Sequence, residues 1–212
     1  VLSVDVARTG KLLATGGGEP SRAGELMIWN ATNGSLIREI ENPHGDTVLC
    51  VRFSPDGETL ATGGADRMVK LWDVESGKLL KTLEGHTHHV TTIAWNVNQQ
   101  QLASGSADAT VKIWDLDSGQ STRTISGLKT EVTKLVYVGR DDRIGITGGD
   151  GYFRVYRTDN GARDTNAKVV GGYLYALDAN REGSQFVVGG ADGIAAVVDK
   201  SGKQQLEFTS SD

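Results

Sequence analysis

The feature that most constrains this chain is a motif that returns after about 42 residues. Residues 63–73 read GGADRMVKLWD and residues 105–115 read GSADATVKIWD, and in both an Asp precedes a Trp by six positions. The tryptophan position recurs in steps of 43, 42, 42 and 42 residues, at Trp29, Trp72, Trp114, Tyr156 and Val198. A fixed period of this length predicts an array of repeated supersecondary units. Five units fill the chain, at approximately 1–43, 44–85, 86–127, 128–169 and 170–212.

Each unit contains four short strand signals and no helical periodicity. In the second unit these signals are TVLCVRF (47–53), TLATGG (59–64), MVKLWDV (68–74) and KLLKTLEG (78–85). Turn sequences such as SPDG and ESGK separate them, and the 28 glycines among 212 residues agree with many tight turns. Repeated units of four antiparallel strands predict an all-β fold, namely a β-propeller with five four-stranded blades in this chain.

The residues of the second and third units resemble a known family. The GH-x-x-x-V pattern at 85–90, the Ser/Thr-Gly-x-x-Asp turn and the closing Trp-Asp are similar to the WD-repeat family of β-propellers. The resemblance covers the full chain and fades in the fourth and fifth units. It implies a single propeller domain or segment over 1–212. It also implies a non-catalytic scaffold that presents the loops of one face to a protein partner or to a neighbouring domain of the same polypeptide.

The same resemblance implies a buried hydrogen-bonded chain that runs from the Trp indole to a Ser/Thr hydroxyl, then to His and then to Asp. Two complete sets are present, namely His44, Thr62, Asp66 and Trp72, and His86, Ser104, Asp108 and Trp114. The first unit has no Asp six positions before Trp29 and carries the insertion GEPSRAGE instead.

Candidate partner-binding residues follow from this insertion and from the family's contact positions on the upper face, because loops on a rigid scaffold often carry binding. The candidates are Glu19, Arg22, Glu25, Thr47, Leu49, His89, Thr91, Glu131, Thr133, Tyr173 and Tyr175.

Two chemical alternatives compete with this structural interpretation. Ser104, His86 and Asp108 could form a nucleophilic triad, but the set recurs one unit away and Ser104 lies within a strand. The HTHH stretch at 86–89 could bind a metal ion, but neighbouring histidines on an extended segment point to opposite sides. We therefore expect no catalytic residue, no metal and no cofactor. A ligand-binding, metal-binding or, less favoured, hydrolytic propeller with its site at the channel mouth, near His88 and His89, remains the alternative.

Charge and hydropathy limit the classes of partner. The net charge is −5 and no basic cluster is present, which argues against nucleic acid. No apolar run approaches the roughly 18 residues of a membrane span, so we expect no membrane insertion. The single Cys50 lies in the apolar run VLCVRF and is expected to be a small buried hydrophobe.

The ends of the repeat array suggest a wider context. The chain begins at a first-strand position and ends after a fourth strand, which leaves two apolar flanks open. We therefore expect five blades of a larger ring of about seven. The segments GGGEPSRAGEL, ENPHGDTV, EGHTHHV and YLYA are similar to C-terminal WD domains of bacterial exported proteins that carry c-type-cytochrome-like domains. That resemblance implies a bacterial source, a periplasmic location and a structural domain of a larger redox protein; without it, the expected location is cytoplasmic.

Overall fold

Five four-stranded sheets follow one another along the chain. The computed structural model describes residues 1–208, apart from the side chain of Asp192; residues 209–212 of the predicted fifth unit lie outside it. Sheet 1 contains β1 (Ser3–Val6), β2 (Leu12–Gly18), β3 (Gly24–Asn30) and β4 (Leu36–Ile40). Sheet 2 contains β5 (Val48–Phe53), β6 (Thr59–Gly64), β7 (Val69–Asp73) and β8 (Leu79–Leu83).

The remaining three sheets repeat this plan. Sheet 3 contains β9 (Val90–Trp95), β10 (Gln101–Ser106), β11 (Val111–Asp115) and β12 (Ser121–Ile125). Sheet 4 contains β13 (Val132–Tyr137), β14 (Arg143–Gly148), β15 (Tyr152–Arg157) and β16 (Arg163–Lys168). Sheet 5 contains β17 (Leu174–Ala179), β18 (Gln185–Gly190), β19 (Ala195–Asp199) and β20 (Gln204–Phe208), with a 3₁₀ turn (Ala191–Gly193) before β19. The predicted all-β fold of four-stranded antiparallel units is confirmed.

Tight turns join the strands of each sheet in chain order. The SPDG turn shows the local reason. Gly57 adopts a φ of 81°, which glycine tolerates, and its N–H donates to the Ser54 carbonyl at 2.9 Å. The Asp56 carboxylate accepts hydrogen bonds from the Ser54 hydroxyl and the Glu58 N–H, and these bonds close the turn. The described residues contain no helix long and apolar enough to cross a bilayer.

The hydrophobic core lies between consecutive sheets. Four clusters of buried side chains are present in the described residues, and each combines two neighbouring sheets. The contact is close at Gly63, where a Cβ atom would stand 2.6 Å from both Cys50 Sγ and Val90 Cγ1 of the next sheet. The Cys50 thiol is buried in this contact, and burial raises its pKa to about 12. Sheet-to-sheet packing is therefore the main source of apolar burial.

The first strands of all five sheets line one cavity with a volume of about 600 Å³. They form the inner wall, while the fourth strands carry mostly exposed residues. This arrangement gives the array two ends. We call the end with the connections between sheets and the turns between second and third strands the His-loop face. The other end, with the turns between first and second strands, is the opposite face.

The outer surfaces of sheets 1 and 5 are apolar and open in the described residues. Val4 of β1 is 54% exposed, whereas its counterpart Val51 in sheet 2 is fully buried against sheet 1. Val187 of β18 is 51% exposed, whereas its counterpart Ala61 is buried against sheet 3. Equivalent positions thus differ in exposure only because a neighbouring sheet covers the internal ones.

We expect Val51→Ala to lower the free energy of unfolding by about 2 kcal/mol, because it removes buried methyl groups from a sheet-to-sheet contact. The matched change Val4→Ala removes the same atoms from an exposed position and should change stability by less than about 0.5 kcal/mol. Urea unfolding of both variants measures the difference. Equal losses would contradict the open face of sheet 1.

Candidate functional site

The first predicted set of four polar side chains comes together in sheet 2. The Trp72 indole N–H on β7 donates to Thr62 Oγ1 on β6 at 2.9 Å. Thr62 Oγ1 lies 2.7 Å from His44 Nε2, and His44 Nδ1 lies 2.9 Å from Asp66 Oδ1. Because a carboxylate only accepts, Nδ1 carries the imidazole proton and Nε2 accepts from the Thr62 hydroxyl. Each of the three donors, the Trp72 indole, the Thr62 hydroxyl and His44 Nδ1, therefore has an acceptor within this set.

The second set repeats the geometry in sheet 3. The Trp114 indole donates to Ser104 Oγ at 2.8 Å, Ser104 Oγ lies 2.8 Å from His86 Nε2, and His86 Nδ1 lies 2.9 Å from Asp108 Oδ2. The Trp114 and His86 rings also meet edge to face, with centroids 6.3 Å apart. The period of the sequence therefore reproduces one polar arrangement in two adjacent sheets.

The aspartates join two loops of the His-loop face. Asp66 accepts from the Gly45 N–H at 3.0 Å and Asp108 accepts from the Thr87 N–H at 2.9 Å, both in the connection that precedes the sheet. Asp108 also accepts from the backbone and hydroxyl of Thr110, within its own turn. Ala109, between Asp108 and Thr110 in this turn, has a φ of 60°, a left-handed backbone conformation that residues other than glycine seldom adopt. The carboxylates hold these turns in place.

The charge states follow from these contacts. Burial by itself would raise the pKa of Asp108, but the Thr110 hydroxyl, the Thr87 N–H and His86 stabilise the carboxylate and lower its pKa to about 2. Burial lowers the pKa of His86 below its ordinary value, although Asp108 acts in the other direction. At neutral pH the pair is a neutral imidazole that donates to a carboxylate.

The same contacts argue against nucleophilic chemistry at Ser104. Its side chain is 0% exposed, and its oxygen is engaged by both Trp114 and His86. A nucleophile must reach the substrate atom that it attacks. The arrangement is suited to fixing loops rather than to acyl transfer.

Sheet 1 retains only the first link of the chain, in which Trp29 Nε1 donates to Thr15 Oγ1 at 2.9 Å. Its insertion packs beside the loop of sheet 2, since the Ser21 N–H donates to Asp46 at 2.9 Å. Glu19 and Arg22 form an exposed ion pair at the tip of the insertion, and Glu25 is exposed on β3. These three candidates therefore lie on the His-loop face.

In sheet 4, Arg154 takes over the pairing role, which the sequence analysis missed. Asp150 stands in the Asp column, and its two oxygens accept from Arg154 Nη1 at 3.0 Å and Nη2 at 2.5 Å. Arg154 is buried although it is charged, as a bidentate ion pair permits. The sequence feature that could have predicted this ion pair is a basic residue four positions after Asp150, where the second and third repeats have Lys70 and Lys112.

Tyr173 and Tyr175 form an exposed aromatic pair on the His-loop face. They are 41% and 60% exposed, and their rings stack with centroids 5.6 Å apart and an interplanar angle of 19°. The Tyr173 hydroxyl donates to Glu131 Oε1 from the preceding sheet. Gly149 leaves room for the ring, because a Cβ there would stand 2.8 Å from Tyr173 Cζ.

The other candidates differ in their access to solvent. His89 is exposed, and Leu49 is partly buried. The Thr91 hydroxyl donates to the Val132 carbonyl at 2.5 Å, and the hydroxyls of Thr133 and Thr147 lie 3.0 Å apart. These two threonines are thus already engaged.

The choice of Thr47 as a contact residue was wrong. Its side chain is 3% exposed, and both its N–H and its hydroxyl contact the Asp46 carboxylate, at 2.7 and 3.2 Å. The residue enters β5 beneath the loop, so a partner on the surface would not reach it.

The expectation that His88 and His89 point to opposite sides was also wrong. The chain bends at 87–88, and the two ring centroids are only 4.3 Å apart. The His89 N–H donates to His88 Nδ1 at 2.9 Å. Among the described residues, no group of three or more His, Cys, Asp or Glu side chains is placed to hold a metal ion.

We expect Asp108→Ala to lower the free energy of unfolding by about 1–3 kcal/mol, because it leaves His86 and the Thr87 N–H without their acceptor. Asp117→Ala is the matched control, since Asp117 is exposed. Urea unfolding measures both variants. An unchanged midpoint for Asp108→Ala would remove the hydrogen-bonded chain as a stabilising element.

We expect stability to fall as the pH decreases from about 7.5 to about 5.5. The pKa of His86 is lower in the folded protein than its ordinary value of 6.5, so the unfolded chain binds the proton first. The stability associated with neutral His86 is therefore present above the ordinary pKa and is lost on acidification. His86→Asn should flatten this pH dependence, whereas His88→Asn should preserve it. Urea unfolding of both variants at several pH values gives the free energy of unfolding as a function of pH. Identical slopes of that free energy against pH in His86→Asn and His88→Asn would refute the assignment to His86.

Comparison with known proteins agrees with this geometry. Residues 34–73 and 77–115 match the sequence model of the family described as "WD domain, G-beta repeat". Each matched segment runs from the fourth strand of one sheet to the third strand of the next. The two complete sets of polar side chains lie in or beside these segments.

Curated relatives match over shorter stretches of their own length. "Periodic tryptophan protein 2 homolog" of Caenorhabditis elegans is 34% identical over 87 residues, which are 41% of this chain and 9% of that protein. "Periodic tryptophan protein 2" of Arabidopsis thaliana is 37% identical over 73 residues, 34% of this chain and 8% of that protein. "Meiotic fizzy-related protein 1" of Schizosaccharomyces pombe is 31% identical over 76 residues, 36% of this chain and 18% of that protein.

The matched part thus spans less than a fifth of each of these relatives. All three are eukaryotic, so they give no support to the expected bacterial source. The resemblance drawn from the repeated residues themselves is confirmed by the family match and by the five four-stranded sheets. Residues 34–73 and 77–115 are thus similar in sequence to WD repeats, and the five four-stranded sheets repeat the same architecture through the rest of the described residues.

Proposed function

We propose that this chain is a non-catalytic module that presents its His-loop face to another protein or to a neighbouring domain of the same polypeptide. The observation that carries the proposal is the exposed, stacked pair of Tyr173 and Tyr175, which Glu131 anchors from the adjacent sheet. Aromatic side chains of this kind are enriched among the residues that contribute most to binding between proteins.

The side chains of Tyr173 and Tyr175 are held in one conformation before a partner binds. Tyr173 is fixed by its hydrogen bond to Glu131 and by the space above Gly149, so a partner would lose little side-chain entropy on binding it. Tyr175 stacks on Tyr173 and offers the more exposed ring of the two. A preorganised aromatic surface next to a carboxylate favours a partner segment that combines apolar and polar or basic groups.

The buried polar chains of sheets 2 and 3 support the same proposal. They fix the loop that carries His89 and the loop on which the insertion of sheet 1 packs, and they leave no reactive hydroxyl on the surface at Ser104. Two segments of the chain match WD repeats, a type of module that serves chiefly as a scaffold for protein interaction. A rigid array of loops in which the Ser104 hydroxyl is buried is consistent with display rather than catalysis.

We also infer that these five blades, within 1–212, belong to a larger ring of about seven. The support is the exposure of Val4 and Val187, whose counterparts in the internal sheets are buried by the next sheet. Further four-stranded blades would cover both faces in the same way. In the longer protein, Val4→Ala would then cost as much stability as Val51→Ala.

Site-specific photo-crosslinking in the full-length protein tests the interaction face. A benzoylphenylalanine at position 175 should crosslink to a protein partner or to another domain of the same chain. The same residue at position 206 should not, although Leu206 is equally exposed, because it lies on the outer strand β20. With the crosslinked partner purified, Tyr175→Ala should weaken binding at least about tenfold and Leu206→Ala should leave it unchanged.

Equal crosslinking from both positions, none from position 175, or crosslinking from position 175 only to a further blade of the same ring would contradict the proposal. Calorimetric titration with zinc separates the ligand-binding alternative. Micromolar zinc binding that disappears in the His88→Ala/His89→Ala variant would favour a metal site at this face instead.

A further inference from the structure

The central cavity has an unusual charge pattern near the opposite face. The cavity of about 600 Å³ is lined by Arg8, Arg52 and Lys134, together with Asp5 and Asp178. It shares lining residues with a second cavity of about 400 Å³ at the turns between first and second strands. That cavity adds Arg140 and Arg181. Five cationic side chains thus surround one channel in a protein whose net charge is −5.

These cations form no close ion pairs in the described residues, although Asp5 interacts electrostatically with Arg52. Within residues 1–208, none of the five forms an ion pair within 4.0 Å, whereas Arg143, Arg154 and Arg157 of sheet 4 each do. The absence of a partner matters most for Arg52 and Lys134, because both are partly buried in the channel. A charged group in such a position is costly to leave without a counter-ion.

The two carboxylates of the channel are already used by the backbone. Asp5 Oδ2 accepts the Phe53 N–H at 2.7 Å and Asp178 Oδ1 accepts the Ala179 N–H at 2.8 Å. Asp5 thereby joins β1 to β5 and serves the contact between sheets 1 and 2. The two cavities together therefore carry five cationic side chains against two carboxylates.

We propose that this end of the central channel is a binding site for an anionic ligand that carries phosphate or carboxylate groups. Arg52 and Lys134 are its inner contacts, and Arg8, Arg140 and Arg181 form a basic entrance. The site lies at the opposite end from the tyrosine pair and is independent of the function proposed above. Clefts lined by one sign of charge concentrate ions of the other sign.

The shape and wall of the cavity fit a small organic anion. Its volume falls within the range of about 300–1,000 Å³ that small-molecule sites occupy. Phe53 and Trp95 supply an apolar wall beside the cations. Such a mixture binds a ligand with an apolar body and one or more acidic groups, since the wall contributes area and the cations fix orientation.

The electrostatics of Lys134 agree with the proposal. Burial and the neighbouring positive charge of Arg52 both lower the pKa of Lys134 below its ordinary value. An anion between these two side chains would offset both effects. Groups held in an unfavourable charge environment are more frequent at ligand sites than elsewhere.

Calorimetric titration of the purified full-length protein with pyrophosphate and, separately, with citrate tests the site. We expect at least one of them to bind, and Lys134→Gln to weaken that binding at least about tenfold, because it removes a charge-assisted contact. Lys129→Gln is the matched control, since Lys129 is exposed on the connection between β12 and β13 at the His-loop face, and it should bind like the unaltered chain. Lys134→Gln should not lower the midpoint of urea unfolding, because no ion pair is lost.

The pattern of binding identifies the chemistry. Pyrophosphate alone would indicate a phosphate-bearing ligand, citrate alone a carboxylate-bearing ligand, and both a site for either group. Binding of neither anion at millimolar concentration would overturn the proposal. So would equal affinities for the unaltered chain and Lys134→Gln, or an equal loss in Lys129→Gln. A loss of stability in Lys134→Gln would assign the lysine a structural role and would also count against the site.

Discussion

A four-stranded sheet cannot bury its own apolar side chains, and this constraint shapes the whole protein. Each sheet has two faces, and its core residues become buried only when a neighbouring sheet covers them. The contacts are close enough that Gly63 has no room for a Cβ atom between Cys50 and Val90. The same constraint makes Val4 and Val187 exposed, because no described sheet covers them. Stability in such an array depends on neighbours rather than on any single unit.

The buried hydrogen-bonded sets of Trp, Ser or Thr, His and Asp hold the loops that connect the packed sheets. The connections between sheets must be held in register at one end of the array, and their polar groups must stay paired. The Asp carboxylates meet this need, since Asp108 joins the connection before sheet 3 to the turn between β10 and β11. In sheet 4 the Asp150–Arg154 pair holds its own turn with different chemistry. The outcome is one face with fixed loops, on which exposed residues such as Tyr175 keep their positions.

Features that recur in every repeat could be predicted from the sequence. The environment of single residues outside the repeated pattern could be predicted less well. The Trp and Asp columns led to the correct strands, and the structure brings the side chains of both sets together. Thr47 was misjudged because its position next to a loop does not reveal that its side chain lies beneath that loop. His88 and His89 were misjudged because a local bend replaces the extended segment that the alternation rule assumes. Arg154 was missed because its partner is recognised only when the turn brings the two together.

The sequence by itself determined the period, the four strands of each unit and the residues of the polar chains, because these depend on local alternation and on spacing within one repeat. Only the tertiary structure decided which residues reach solvent and which charges meet. The contact between Tyr173 and Glu131 joins residues 42 positions apart, and the channel gathers Arg52 and Lys134 from different sheets. Such pairings depend on how neighbouring sheets are placed against each other, and no local pattern within a repeat records that placement.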